Sequence, residues 1–170
     1  MERLEACRVL EGNHQTMELR MGDLTLKDIS EKMRDIDFAL LSTRTEGGAI
    51  AARPMSNNRQ VEYDGDSYFF TLESTRTVGD IRREPCVGLS YQGKSGALGM
   101  KPFFITVEGR GELIDDKRRF AEHWTKDLEA WFREGIDTPG LLLVKVVAVR
   151  LHYWDGYEEA EINVHARSDA

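Results

Sequence analysis

The spacing of apolar residues predicts a first helix near residue 25. In "DLTLKDISEKMRDI", Leu26, Ile29 and Met33 recur at helical intervals. Thr25 precedes Asp28 by three residues, which is the spacing at which a hydroxyl and a carboxylate cap a helix together. This helix should therefore lay one apolar face on a core.

Two more helices are predicted in the middle of the chain. One begins after "YFFTLEST" and should end at Glu84, because Pro85 disfavours helical geometry in the residue before it. The other is "DKRRFAEHWTKDLEAWF", in which one apolar stripe recurs every four residues: Phe120, Trp124, Leu128 and Phe132. Such a stripe is typical of core packing rather than of a cofactor site.

Elsewhere the apolar period is that of strands. The runs "FALLST" and "AIAARPMS", joined by "RTEGG", predict one hairpin, and "VEYDGDSYFFTL" predicts a second that turns at Asp64-Gly65. Three further strands are predicted in "CVGLSYQ", "FFITVEGRGELI" and "LLLVKVVAVRLHYW", and Gly109 and Gly111 indicate a bulge in the middle one. Five or six antiparallel strands without crossover helices favour a small β-barrel over a parallel α/β sheet.

Length and composition favour one domain. With 170 residues and 41% hydrophobic content, the chain can bury a core of ordinary size without disulfide or metal staples. We expect residues 1–20 to be a loosely attached extension, residues 21–157 to be the folded domain and residues 158–170 to be a polar tail.

The net charge of -7 makes nucleic acid and an anionic membrane poor partners, so any anion site must be local. The sequence has no long apolar run, and Cys7 and Cys86 are far apart, so we expect a cytoplasmic protein with reduced thiols and no disulfide framework. The four histidines lack the spacing of a zinc site, and no metal centre is expected.

Arginines beside hydroxyl groups are the residues best suited to bind a phosphate. Residues 74–77, "STRT", stand where a strand passes into a helix and offer hydroxyls, amide donors and a positive charge. Arg53 precedes Pro54, so its backbone is biased to be extended, and its guanidinium can bind phosphate oxygens in pairs. The alternative interpretation is that residues 74–77 only cap the helix. Hydrolase and kinase motifs such as G-x-S-x-G and the Walker loop are missing from the sequence.

Several motifs together resemble the pyridoxamine 5'-phosphate oxidase-like split barrels, in particular their general stress protein branch. They are "RPMS", "YFFTLESTRTVGDIRREPCVGLSY", "VEGRGEL" and "LHYWDG", and they occur in this order within residues 21–157. The resemblance implies a mainly β fold with flanking helices, a six-stranded antiparallel split β-barrel. It also implies FMN bound in a groove at the interface of an isologous homodimer.

The resemblance assigns roles to particular residues. Arg53 matches the arginine that meets the FMN phosphate, and Trp154 matches an aromatic residue that closes on the flavin from the second subunit. Pro54, Met55 and Ser56 match the strand beneath the flavin. Phe70 and Thr71 match the strand end near its ring. The phosphate loop is matched by Ser74, Thr75, Arg76 and Thr77.

Three departures from the family pattern refine the expected function. Thr77 stands where relatives carry a lysine, Phe104 stands where the oxidases carry a glutamine, and "YEEAE" is acidic where the oxidases hold a phosphorylated substrate. We therefore expect an FMN-dependent oxidoreductase, reduced by a nicotinamide, that is not a true pyridoxamine phosphate oxidase. Its catalytic residues are not assigned. The alternatives are a non-enzymatic carrier or sensor of a flavin, tetrapyrrole or deazaflavin, and a ligand-free dimerisation domain.

Overall fold

A computed structural model describes residues 24–57, 63–93 and 102–164 of the chain. Within these ranges the helices are α1 (Leu26–Met33), α2 (Arg76–Arg83) and α3 (Lys117–His123), with 3₁₀ turns at Lys126–Ala130 and Gly135–Asp137. The strands are β1 (Phe38–Arg44), β2 (Ile50–Ser56), β3 (Asp66–Leu72), β4 (Cys86–Gln92), β5 (Phe103–Ile114), β6 (Leu141–Asp155) and β7 (Glu158–Asn163).

The strands form one antiparallel sheet in the order β2-β1-β4-β5-β6-β3, with β7 also paired to β6. The long strand β6 pairs with β3 over residues 141–147 and with β7 over residues 150–155. The sheet is not closed, because β2 and β3 end the path without pairing to each other. This confirms the mainly β split-barrel architecture, and β7 adds a strand to the predicted six.

Side chains on the inner face of the sheet form the main core. Leu41, Ile105 and Leu151 have no solvent exposure, and Tyr91 and Tyr153 are nearly as buried. α1 packs against this core through Ile29, and its first turn is closed by the predicted capping box: Thr25 accepts from the Asp28 amide and Asp28 from the Thr25 amide. The helix therefore covers one end of the barrel.

A bulge bends β5 where the sequence predicted one. The register of β5 on β6 shifts between Glu108 and Gly109. A Cβ atom at Gly109 would lie 2.6 Å from the backbone oxygen of Val147, so only glycine fits this close approach. Because of this bend, the paired strands β5 and β6 run through both halves of the barrel.

The predicted third helix is wrong in its second half. α3 ends at His123, Trp124 has extended backbone angles (φ -73, ψ 132), and the following residues form a 3₁₀ turn. Phe120, Trp124 and Phe132, which the sequence placed on one helical stripe, pack together around Phe70 although the helix does not continue. Tertiary packing of these rings has overridden the helical preference of the segment.

The second hairpin and the end of the domain were also predicted from the sequence. β3 pairs with β6. Tyr63 is not in a strand, and the rest of the predicted first arm, Val61 and Glu62, lies outside the described residues. The expected polar tail is wrong for Glu158–Asn163, which forms β7, because an edge strand tolerates charged side chains. The expected extension, residues 1–20, lies outside the described ranges.

Cys86, the first residue of β4, is disulfide-bonded, which contradicts the expectation of reduced thiols. Cys7 lies outside the described residues. In the part of the chain that the structure describes, no helix has the length and apolarity to cross a membrane.

Candidate cofactor-binding site

A cavity of about 180 Å³ opens between β2 and β3, which do not pair with each other in the sheet. Most of its lining is apolar, and its wall combines both strands with the segment around the first 3₁₀ turn. The lining residues are Phe38, Pro54, Met55, Ser56, Phe70, Leu128, Trp131 and Phe132. Four residues that the sequence assigned to a flavin site, Pro54, Met55, Ser56 and Phe70, thus lie in one wall.

Phe70 holds this wall to a second apolar cluster, which lies between β3, β6 and α3. Its ring makes edge contacts with Phe120, Trp124 and Phe132, with centroid distances of 5.7, 5.1 and 6.5 Å. Such contacts fix ring orientation. The floor of the cavity is therefore a rigid part of the fold.

Arg53 joins β2 to α2 through a buried carboxylate. Its guanidinium donates to Thr43 Oγ1 at 2.8 Å and to Asp80 Oδ2 at 3.4 Å, and its side chain is 22% exposed. Asp80 also accepts from the Thr43 hydroxyl at 2.8 Å and from Arg83 at 3.1 Å. Two arginines thus face one carboxylate, which leaves a local charge of +1 beside the strand that lines the cavity.

The charge of this cluster is set by its hydrogen bonds. Burial of the Asp80 carboxyl would by itself raise its pKa. The hydrogen bonds from Thr43, Arg83 and Arg53 outweigh burial, so the pKa of this carboxyl lies below its ordinary value. The carboxylate is therefore ionised at neutral pH.

Residues 74–77 at the start of α2 differ in exposure and in hydrogen bonding. Thr75 is the N-cap residue, but its side chain makes no capping hydrogen bond, and its hydroxyl lies 3.2 Å from that of Thr71. Ser74 and Arg76 are exposed, whereas Thr77 is buried. The interpretation that these hydroxyls only cap the helix is therefore wrong for Thr75.

The structure brings Arg53 and α2 together, as a shared phosphate site requires. Asp80, to which Arg53 is bonded, lies one helical turn after Arg76. On β2, Arg53 and Met55 point to the same side of the strand, about 7 Å apart. An anion at Arg53 would thus lie next to the apolar cavity.

Trp154 lies away from these residues in the same subunit. It is near the end of β6 opposite to the part that pairs with β3, and it does not line the cavity. Its indole N–H donates to Glu159 at 2.8 Å, and its ring lies 3.9 Å from that of His152. Any contact between Trp154 and the cavity would have to come from another copy of the chain.

A smaller recess beside the cavity contains a histidine. Ser56, Phe70 and Leu128 line both spaces, and His123 lines the recess. The imidazole stacks on Tyr68 at 3.7 Å, and burial, followed by the charge of Arg119, lowers its pKa. His123 is therefore neutral at pH 7.

Sequence reasoning did not assign several of the residues that shape the site, among them Asp80, Leu128 and Trp131. Asp80 could have been suspected, because a charged residue on the apolar face of α2 needs a partner. Leu128 belonged to the recognised stripe but was assigned to the core. Nothing in the sequence set Trp131 apart, because the segment was predicted as a continuous helix. Among the described residues, no group of three or more His, Cys, Asp or Glu side chains could hold a metal ion.

The chain shares features of sequence and fold with known proteins. The family model described as "Pyridoxamine 5'-phosphate oxidase like" matches residues 25–166. No curated protein matches the chain. Three similar solved structures share between 14% and 20% identity with it, and likeness at this level shows the fold alone.

One similar structure is a protein from Clostridium acetobutylicum related to general stress protein 26 of B. subtilis (pyridoxinephosphate oxidase family). It has a TM-score of 0.69 and 17% identity, over 82% of this chain and 94% of that chain. General stress protein 26 from Bacillus anthracis has a TM-score of 0.65 and 20% identity, over 81% and 98%. A heme binding protein from Mycobacterium smegmatis has a TM-score of 0.67 and 14% identity, over 84% and 59%.

Proposed function

The chain belongs to the pyridoxamine 5'-phosphate oxidase-like family, and we propose that it is an FMN-binding oxidoreductase that uses the flavin for electron or hydride transfer. The observation that carries this proposal is the cavity at the β2–β3 opening, which combines an apolar wall with an arginine cluster on the same strand. When bound, FMN supplies the redox chemistry, and the protein supplies binding and orientation.

The cavity fits the ring of a flavin better than the whole cofactor. Pockets for complete ligands of this size occupy about 300–1,000 Å³, whereas this one has about 180 Å³. Pro54, Met55 and Phe70 would contact the flat apolar ring, and Ser56 would offer a hydrogen bond at its edge. The rest of the cofactor would extend along the surface of β2.

The phosphate would be held by Arg53 with help from the start of α2. Arg53, Arg83 and Asp80 carry a combined charge of +1, so a phosphate gains attraction there despite the acidic chain. Arg76 and the hydroxyls of Ser74 and Thr75 are on the neighbouring helix terminus and add donors. Thr77 is buried and serves the packing of α2 rather than the phosphate.

We further propose that two copies pair so that each supplies Trp154 to the other's cavity. The outer face of the sheet carries large apolar side chains that are one-third to two-thirds exposed, which is typical of a covered surface. They are Phe38, Leu40, Ile50 and Phe104. Phe38 also lines the cavity, so the proposed interface is continuous with the site.

The same geometry argues against pyridoxamine phosphate oxidase activity. β7 places Glu159 beside Trp154 and Glu161 beside Arg150 and His152. These carboxylates would repel a phosphorylated substrate that approached the flavin from this side. A reduced nicotinamide is the proposed reductant.

The first experiment is an absorption spectrum of the purified protein after FMN is added and excess is removed. We expect retained flavin bands, and a loss of affinity of about 10- to 100-fold in Arg53→Ala and in Arg76→Ala. Arg118→Ala, whose side chain on α3 is 90% exposed, is the matched control. A protein that retains no FMN would refute the proposal.

A carrier of a planar ligand is the second candidate, favoured by the fold shared with the heme binding protein from Mycobacterium smegmatis. The same spectra, recorded with added hemin, would distinguish it. Oxidation of reduced nicotinamide by the FMN-loaded protein, at a rate well above that of free FMN, would support the enzyme. Rates equal to those of free FMN would favour the carrier.

A further inference from the structure

Trp131 is the least explained residue of the cavity. It is 67% exposed, although an indole is one of the most costly side chains to leave in water. The other apolar residues of this segment that line the cavity are less exposed: Leu128 is buried, and Phe132 packs against Phe70 and Trp124. Trp131 itself has no place in the apolar cluster that these residues form.

The backbone holds Trp131 at the cavity. The amides of Trp131 and Phe132 both donate to the carbonyl of Leu128, at 2.9 Å each. Leu128 and Phe132 anchor the segment on both sides, and all three residues line the cavity. The packing of Leu128 and Phe132 therefore fixes the position of the Trp131 indole at the mouth of the cavity.

We propose that Trp131 is a ligand-binding residue that covers the flat ring of the bound flavin on the side opposite to β2. This rests on the proposed function, because it needs a planar aromatic ligand in the cavity. Stacking on such a ring would bury the exposed indole and exclude water from the ring. Pro54 and Met55 would form the other wall, so the cavity would select flat aromatic ligands.

The test separates the ring of the ligand from its phosphate by comparing FMN with riboflavin. We expect Trp131→Ala to weaken both ligands by the same factor, about tenfold, as loss of one aromatic stacking partner does elsewhere. Trp131→Phe should restore most of the affinity. Arg76→Ala, the matched control, should weaken FMN and leave riboflavin unchanged.

Tryptophan fluorescence gives a second readout. Flavin should quench part of the emission of the wild type, and that part should be missing in Trp131→Phe. Because Trp131 is exposed, the urea midpoints of the variants should equal that of the wild type. If the wild type binds FMN and Trp131→Ala binds it equally well, the inference is wrong while the proposed function stands. If the wild type binds neither ligand, both are wrong.

Discussion

Replacing Asp80 by Asn tests whether a buried carboxylate ties α2 to the sheet. The carboxylate accepts hydrogen bonds from Thr43 at 2.8 Å, from Arg83 at 3.1 Å and from Arg53 at 3.4 Å. An amide keeps an acceptor oxygen for the Thr43 hydroxyl but removes the charge. The two arginines would then repel each other across a neutral group.

The size of the effect follows from these contacts. Hydrogen bonds to a charged group contribute about 1.5–3 kcal/mol, and breaking a fully buried ion pair costs about 3–5 kcal/mol. Arg53 and Arg83 keep some access to water, with side chains 22% and 38% exposed. We therefore expect the free energy of unfolding at pH 7 to fall by about 2 kcal/mol, and Tm by about 4–8 °C.

The pH dependence has a definite sign. The pKa of the Asp80 carboxyl is lowered by folding from its ordinary value of 3.8. Its contribution to stability is therefore complete above that value and is lost as the pH falls through the folded pKa. The difference between wild type and Asp80→Asn should stay constant from pH 7 to about pH 5 and shrink below about pH 4.

Urea unfolding at several pH values measures both quantities. Asp137→Asn is the matched control, because Asp137 pairs with Lys117 with both side chains about 70% exposed, and such pairs contribute at most about 1 kcal/mol. Equal stability of wild type and Asp80→Asn at pH 7 would refute the reasoning. So would a difference that does not shrink in acid.

Three further predictions concern the bulge, the core and the recess. Gly109→Ala should lower the free energy of unfolding by about 1–3 kcal/mol, because its Cβ would meet the Val147 oxygen. Gly79→Ala, with no atom within 4 Å of its Cβ, should raise the free energy of unfolding by about 0.5–1 kcal/mol. A change of the same sign for both variants in urea unfolding would contradict this. Leu143→Ala should cost about 2–5 kcal/mol by the same assay, because Leu143 has no exposure, and a cost below about 1 kcal/mol would contradict its placement. The ring protons of His123 should titrate by NMR with a midpoint below 6.5, so that stability falls as the pH is lowered through 6.5; a midpoint at or above 6.5 would contradict the burial of the ring.

Local signals in the sequence predicted the fold well. The bounds of β4 and β5 follow from Pro85, from the apolar runs and from Asp115, and the glycine pair in β5 marks the bulge. The capping box at Thr25 marks the start of α1. Each of these signals depends only on the identity of a few residues that are close together in the sequence.

The features that the sequence did not predict depend on distant parts of the chain. β3 pairs with β6, about 75 residues later, and no local pattern specifies that partner. Trp124 leaves the helix because Phe70 offers a packing surface. For the candidate site, Arg53 and the cavity residues on β2 were assigned through motifs. Asp80 and Trp131 acquire their positions only from packing, so the sequence alone did not single them out.

β7 changes what the long strand β6 presents to its surroundings. β3 covers residues 141–147 of that strand edge, and β7 covers residues 150–155. A chain shortened at residue 157 would leave a row of bare amides and carbonyls, to which the strand of another molecule could add. β7 replaces that edge with one bearing Glu158, Glu159 and Glu161, whose charges oppose such addition. The acidic edge of β7 thus opposes aggregation through strand pairing, and a shortened chain should keep β7.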